Sequence, residues 1–159
     1  MNRGLLLTLT EPPAGMEEEF DAWYDTEHLA ERLAIPGFRS ATRWVAGVPP
    51  GEGRYLATYE LDSLRILFST DYLARFQNPT PWSRRCLGKA VVFKRWACEQ
   101  ITPGRADPHP GAQAVVLNEA VPGALQMRTF AAQSGERIVL CELGTPQIAT
   151  GIVYRRYQP

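Results

Sequence analysis

The sequence predicts an α+β protein built from two unequal halves. Over residues 1–101, segments with the periodicity of strands and helices follow one another as strand, helix, strand, strand, helix and strand. Residues 102–112 contain three Pro and two Gly and are predicted to be a linker. Residues 113–159 contain only further strand-like segments. The expected architecture is therefore a helix-containing first half joined to a β-rich second half.

The first strand and the first helix follow each other directly in the predicted fold. Leu5 to Thr10 is a short apolar run of strand length. Residues 17–33 are predicted to be a helix, because three glutamates lie in the first turn and Pro36-Gly37 follows the end. A helical wheel puts Leu33 on the more apolar side and His28 on the less apolar side.

Two strands, a second helical region and a fourth strand complete the first half. A turn with three Gly and two Pro connects the second and third strands into a hairpin. The helical region is expected to break near Ser69, with Asp71 as the cap. Asn78 to Trp82 is expected to be a proline-containing loop. The predicted bounds are Phe38 to Val45, Tyr55 to Leu61, Ser63 to Gln77 and Ala90 to Ile101.

This order is the β-α-β-β-α-β arrangement of a ferredoxin-like unit. Two helices cover one face of such a sheet, and the opposite apolar face needs another cover. Segments of the second half resemble strands of the first half, so the second half is expected to be a degenerate repeat without helices. If it is a repeat, one chain closes its own barrel. If it is not, the second half is an extra β layer and the barrel needs a second chain.

If the second half is a repeat, it is expected to run as antiparallel hairpins; the alternative is that the resemblance is only one of strand composition. Its link from Glu119 to Gly123 is shorter than the dozen or so residues that a parallel crossover needs. The predicted strands are Gln113 to Asn118, Ala124 to Ala132, Arg137 to Leu143 and Gly151 to Tyr157.

The composition limits the classes of partner. Lys and Arg number 17 and Asp and Glu number 17, so no net charge points to nucleic acid or a membrane surface. No apolar run approaches the ~20 residues of a membrane-spanning helix. The three Cys are odd in number and widely spaced, which argues against a disulfide framework and favours a cytoplasmic location.

Several motifs of the first half together resemble a known superfamily. They are Trp23-Tyr24-Asp25-Thr26-Glu27-His28, Glu31-Arg32-Leu33, Pro36-Gly37-Phe38 and Asn78 to Arg85. Across roughly residues 4–100, the chain resembles the EthD-like, dimeric α+β-barrel superfamily, and in particular its poorly characterised bacterial members.

The resemblance implies an α+β barrel with an apolar cavity, formed either by an intrachain pseudo-dimer or by a homodimer. The superfamily includes oxygenases, isomerases, lyases, dehalogenases and proteins without known activity, so it implies the fold better than the function. Ala30 stands where the family pattern has a proline, which puts in doubt the local kink that would aim His28.

His28 is the leading catalytic candidate. Imidazole transfers protons near neutral pH, and Asp25, three residues earlier, is predicted to orient it. The alternative is a solvated surface pair. Related proteins keep a His near the cavity mouth, and the resemblance implies the same of His28.

Other candidates could bind a substrate or stabilise charge. Arg43 is predicted to stabilise a developing oxyanion; the alternative is that it faces outward or is paired with Glu60 or Glu11. Tyr24 and Tyr59 are candidates for lining the cavity, with core packing as the alternative. Trp82 either closes the pocket or anchors its loop.

No metal-ligand spacing, glycine-rich phosphate loop or nucleophile elbow is found in the sequence, so the expectation is that no cofactor or metal is used. The predicted function is a cofactor-independent cyclase, isomerase or lyase that acts by proton transfer on a small apolar oxygenated metabolite, such as a polyketide or aromatic compound. The alternatives are a non-catalytic binding or accessory protein, a cofactor-free monooxygenase and a purely structural dimer.

Overall fold

In a computed structural model that describes residues 1–147 and 149–159, the strands form one closed barrel in the order β1-β3-β2-β8-β5-β7-β6-β4. Every neighbouring pair is antiparallel. The α+β barrel therefore closes within one chain. The strands are β1 Gly4–Glu11, β2 Phe38–Ala46, β3 Tyr55–Leu61, β4 Val91–Thr102, β5 Ala114–Leu117, β6 Gln126–Ala132, β7 Arg137–Leu143 and β8 Val153–Arg156.

The helices all belong to the first half, and they confirm its predicted β-α-β-β-α-β order. The first helix is continuous but contains a π-helical turn between two α-helical segments. The segments are α1 Glu17–Trp23, the π turn Tyr24–His28, α2 Leu29–Leu33, a 3₁₀ helix Leu64–Phe68, α3 Thr70–Gln77 and α4 Pro81–Lys89.

Two local predictions in the second helical region are wrong. The predicted proline loop runs into α4, because Pro81 occupies the first turn and the Thr80 hydroxyl accepts a hydrogen bond from the Ser83 N–H. The cap of α3 is Ser69, whose hydroxyl accepts a bond from the Tyr72 N–H, and not Asp71.

The two halves have the same strand order. In the first half β4, β1, β3 and β2 lie side by side, and β8, β5, β7 and β6 do so in the second. The halves meet where β2 pairs with β8 and β4 pairs with β6. This correspondence supports the proposal that residues 113–159 are a degenerate repeat of residues 1–101, joined by the linker 102–112.

The expectation that the second half consists only of hairpins is wrong. β5 and β6 lie on either side of β7, and both are antiparallel to it, so they are parallel to each other. Residues 118–125 make the connection. The link can be this short because β5 is only four residues long, about 13 Å, whereas eight extended residues reach about 26–29 Å.

Side chains from both halves fill the barrel interior. Along β1, Leu5 and Leu7 point inward and pack with Phe130 and Leu140 of the second half, whereas Leu6 belongs to the cluster beneath the helices. The cavity expected inside the barrel is therefore found elsewhere, on the outer, helix-covered face of the sheet. Among the described residues, no helix is long and apolar enough to cross a membrane.

Candidate functional site

A pocket of about 250 Å³ lies between the outer face of the first-half sheet and its helices. This volume is slightly below the range of about 300–1,000 Å³ that is typical of ligand pockets, so the pocket can hold only a small molecule. Its walls are mostly apolar and aromatic, with a few polar groups among them. The lining residues are Leu6, Thr8, Thr10, Tyr24, His28, Arg32, Tyr59, Tyr72, Phe76, Leu87, Val92 and Arg95.

The π turn determines which side of the first helix faces this pocket. The Leu29 N–H donates to the Tyr24 carbonyl, five residues earlier. This spacing brings His28 against Trp23, with ring centroids 4.3 Å apart. The helical-wheel assignment is therefore wrong, because the side carrying His28 is buried while Leu33 is 42% exposed. Such π turns occur frequently at functional sites.

His28 is a buried, neutral imidazole. It is 5% exposed, it stacks on Trp23, and the edge of Tyr24 lies 5.0 Å away. Burial, and then the positive charges of Arg32 and Arg43, lower the pKa of His28 from 6.5 to about 3. Its Nδ1 atom has no hydrogen-bond partner among the described residues. His28 can therefore accept or donate a hydrogen bond to a ligand without carrying charge at neutral pH.

The predicted pairing of Asp25 with His28 is wrong. One carboxylate oxygen of Asp25 accepts a bond from Arg43 at 3.2 Å, and the other accepts a bond from the Tyr157 hydroxyl at 3.2 Å. Asp25 leaves the helix on the side of β2 and the C-terminal segment, so its carboxylate is already satisfied by partners away from the pocket. His28 has no carboxylate to orient it in the described structure.

Arg43 is also held away from the pocket. Its guanidinium donates to Asp21 at 2.7 Å and to Asp25 at 3.2 Å, and it lies 4.0 Å from the Tyr157 ring centroid. Burial opposes its charge, but the bond to Asp21 and the negative charges nearby outweigh this and raise the pKa of Arg43. Arg43 is thus paired, but its partners are Asp21 and Asp25 and not the predicted Glu60 or Glu11, which bond Arg128 and Arg54.

Of the remaining candidates, Tyr24 and Tyr59 line the pocket and Trp82 does not. Burial raises the pKa of Tyr59 well above its usual value, so its phenol stays protonated and can donate a hydrogen bond. Trp82 lies in α4 and packs, half-buried, against the core beneath the helices.

Five polar residues of the pocket were not among the candidates from the sequence: Thr8, Thr10, Arg32, Tyr72 and Arg95. Arg32 follows His28 by four residues, so helical spacing already placed the two together. Thr8 interrupts the apolar run of β1 on the same face as Leu6, and strand alternation could have identified it.

Three of the residues that line this pocket each carry a buried polar atom without a partner. The atoms are Thr8 Oγ1, His28 Nδ1 and Arg32 Nη1, and each is buried without a hydrogen-bond partner among the described residues. Buried polar groups are nearly always bonded, because leaving one unpaired costs about 1–3 kcal/mol. Their presence on residues of one pocket marks the pocket as the candidate site.

No protein-family model matches the chain. Core atranone cluster (CAC) protein 1 of Stachybotrys chlorohalonatus is 30% identical over 80 residues, which make up 49% of this chain and 34% of that protein. The match therefore spans about a third of the relative's length.

Two solved structures are similar in shape. An ethyl tert-butyl ether D (EthD) family protein from Bacillus halodurans has 15% identity and a TM-score of 0.42, over 58% of this chain and 95% of that one. A candidate chlorite dismutase has 11% identity and a TM-score of 0.55, over 99% of this chain and 96% of that one. This full-length likeness and the closed barrel show that the chain has the dimeric α+β-barrel fold of the superfamily that its sequence resembles, with the two barrel halves in one chain.

Proposed function

We propose that the pocket is the site of cofactor-independent proton transfer on a small, largely apolar, oxygenated molecule, in a reaction of the cyclase, isomerase or lyase type. The observation that carries this proposal is that three residues lining one apolar pocket each carry an unpartnered buried polar atom. A ligand with polar oxygens would satisfy these atoms, while its apolar part would fill the space between the aromatic walls.

His28 is the proton acceptor in this proposal. The C–H bond next to a substrate carbonyl breaks, its electron pair becomes the enolate, and the proton moves to the free imidazole nitrogen. The proton then returns to a different carbon or to a leaving group. A neutral base is needed for the first step, and the lowered pKa of His28 keeps it neutral at pH 7.

Arg32 stabilises the enolate in this scheme. An imidazolium alone is disfavoured at this buried position, but proton transfer creates an enolate at the same moment, so the two charges form as a pair. The guanidinium of Arg32, whose Nη1 is unbonded, is the pocket cation best placed to hold the enolate oxygen. Arg32 thus takes the role that the sequence suggested for Arg43.

The similar protein of the core atranone cluster supports a role in secondary metabolism. That protein is named for a metabolite cluster, and the matched segment covers half of this chain. A polyketide or aromatic metabolite remains the proposed substrate type, because such molecules combine rings with acidic C–H and O–H groups.

The second candidate function is non-catalytic binding in the same pocket. The low pKa of His28 favours it, because a base with a pKa of about 3 accepts a proton poorly unless an anion forms beside it. Binding without proton exchange is the result that would support this alternative.

Hydrogen–deuterium exchange tests the enzyme proposal without knowledge of the product. Small aryl ketones, including phenylacetone, are incubated with the protein in D₂O, and loss of the acidic C–H signal is followed by ¹H NMR. We expect exchange above the buffer rate with at least one ketone, its loss in His28→Gln, and its retention in the matched control His109→Gln. Equal rates in His28→Gln and the wild type would refute the role of His28.

A homodimer is not required for barrel closure and remains a proposal. Light scattering after size-exclusion chromatography decides it, since a mass of 17.8 kDa corresponds to a single chain.

A further inference from the structure

Two arginines outside the pocket are buried as Arg32 is, and each of them contacts two carboxylates. They are Arg43, with Asp21 and Asp25, and Arg128, with Glu60 and Glu142. Three less buried arginines also contact two carboxylates each, namely Arg3 and Arg39, with Asp62 and Asp107, and Arg54, with Glu11 and Glu17.

Arg32 departs from this pattern. It is only 8% exposed, yet the one carboxylate of the described residues within ion-pair distance is that of its neighbour Glu31, at 3.7 Å from Nη1 and without a hydrogen bond. The exposed Arg95 also lines the pocket, and it donates to the Tyr72 hydroxyl at 2.9 Å. None of the described residues that line the pocket is acidic.

Tyr72 fixes both guanidiniums. The Arg32 guanidinium carbon lies 5.6 Å from the centre of the Tyr72 ring, and Arg95 is bonded to the hydroxyl of the same ring. An aromatic side chain, and not a carboxylate, thereby holds the buried cation of Arg32 and the exposed cation of Arg95 against the pocket. Among the described residues, the pocket lacks the anions that accompany the buried Arg43 and Arg128.

We propose that the substrate enters this pocket as a small carboxylate attached to a planar apolar group, with the carboxylate bound at the outer side by Arg95 and by one edge of the Arg32 guanidinium, while Nη1 of Arg32 is left for the enolate oxygen. The inference rests on the proposed function of the pocket and adds the class of substrate. A carboxylate matches the fork of a guanidinium with two parallel hydrogen bonds. The aromatic walls formed by Tyr24, Tyr59 and Phe76 suit a planar apolar body.

Binding of a carboxylate would also activate His28. The charge of Arg32 is one of the causes that lower the pKa of His28, second only to burial. A carboxylate on Arg32 offsets that charge, so the basicity of His28 rises when the substrate is bound. Because coupling between two sites is reciprocal, protonation of His28 must in turn strengthen carboxylate binding.

Isothermal titration calorimetry with benzoate and its neutral isostere benzamide tests the inference at pH 7. We expect benzoate to bind at least tenfold more tightly than benzamide to the wild type. In Arg32→Gln this preference should disappear, and Arg95→Gln should reduce it severalfold. The matched control is Arg75→Gln, which removes the same charge from an exposed site of α3 outside the pocket and should keep the preference.

Arg32→Lys guards against a failure of Arg32→Gln to fold, because it keeps the charge but loses the planar fork, and it should retain part of the preference. Equal affinity for benzoate and benzamide in the wild type, no binding of either, or an unchanged preference in a folded Arg32→Gln would each overturn the inference.

This outcome is separable from that of the proposed function. Carboxylate binding without any C–H exchange leaves the inference standing and removes the enzyme proposal. Exchange on neutral ketones without a preference for carboxylates does the reverse.

Discussion

The imidazole of His28 stacks on the indole of Trp23, with ring centroids 4.3 Å apart and an angle of 25° between the ring planes. In an α-helix, residues five apart point about 140° away from each other. The π turn Tyr24–His28 removes this offset and brings the two rings together on the pocket side. The stack encloses His28 in an aromatic environment that disfavours its charged form.

The pH dependence of stability tests this enclosure. The pKa of His28 is about 3 in the folded protein and 6.5 by default, so between these values the unfolded chain binds a proton that the folded protein does not. The contribution of the neutral His28 to the free energy of unfolding is therefore fully present above pH 6.5, and it is lost as the pH falls towards 3. We expect His28 to lower the free energy of unfolding by about 2–3 kcal/mol between pH 7.5 and 4.5.

Urea denaturation across this pH range measures the effect. The decrease should be largely absent in His28→Gln and should persist in the control His109→Gln. The same pH slope in His28→Gln and in the wild type would contradict the assignment of the slope to His28.

A single deletion tests the π turn itself. Thr26 is exposed within the turn, and removing it leaves Trp23 and His28 four residues apart, about 40° from each other on an α-helix and therefore on one face. We expect the deletion variant to remain folded, to keep the stack of the two rings and to retain C–H exchange within about twofold of the wild type. Thr26→Ala is the control, since it removes only the hydroxyl bond to the Ala22 carbonyl. A loss of at least about tenfold in the deletion variant alone would contradict this and show that an α-helical turn cannot position His28.

Asp25 and Arg43 are expected to affect stability and not proton transfer. Arg43→Met leaves two partly exposed carboxylates without their shared partner and should cost about 1–3 kcal/mol in the free energy of unfolding. Asp25→Asn should leave C–H exchange within about twofold of the wild type, because Asp25 does not contact His28. An Asp25→Asn enzyme that folds normally but has lost exchange would restore the role first predicted for Asp25.

The charged cluster inside the barrel provides a further test of the fold. Arg128 is 1% exposed and bonds Glu60 at 2.7 Å and Glu142 at 3.3 Å. Arg128→Met should lower the free energy of unfolding by about 3–5 kcal/mol at pH 7. The deficit should shrink as the pH falls, since the two glutamates of the variant then bind protons and lose their charge. A pH-independent deficit would indicate a packing defect.

The fold was predictable from the sequence because strand alternation and Pro-Gly punctuation are local signals. They placed β7 at its observed bounds, Arg137–Leu143, and gave the correct order of elements in the first half. The loop predicted at Asn78 to Trp82 is wrong at its end because proline has two roles. It breaks helices, but it is also favoured in the first turn of a helix, and Pro81 occupies that position in α4.

The site was less predictable because it depends on the phase of one helix. His28 was identified, but its neighbours were inferred from a period of 3.6 residues, which the π turn interrupts after Trp23. The position of Asp25 followed from the same assumption and failed with it. Arg95 was missed because its approach to the pocket depends on Tyr72, a contact between β4 and α3 that no local pattern indicates.

The protonation state of the His28 ring, observed by NMR with ¹⁵N-labelled histidine, tests the role of His28 most directly. The sequence contains two His, so the His28→Gln spectrum assigns both rings. We expect a neutral His28 ring at pH 6, with signals that shift when benzoate or phenylacetone is added while those of His109 stay in place. A charged His28 ring at pH 6, or signals unmoved by saturating amounts of both probes, would contradict the claim that His28 is the neutral proton acceptor of a ligand pocket.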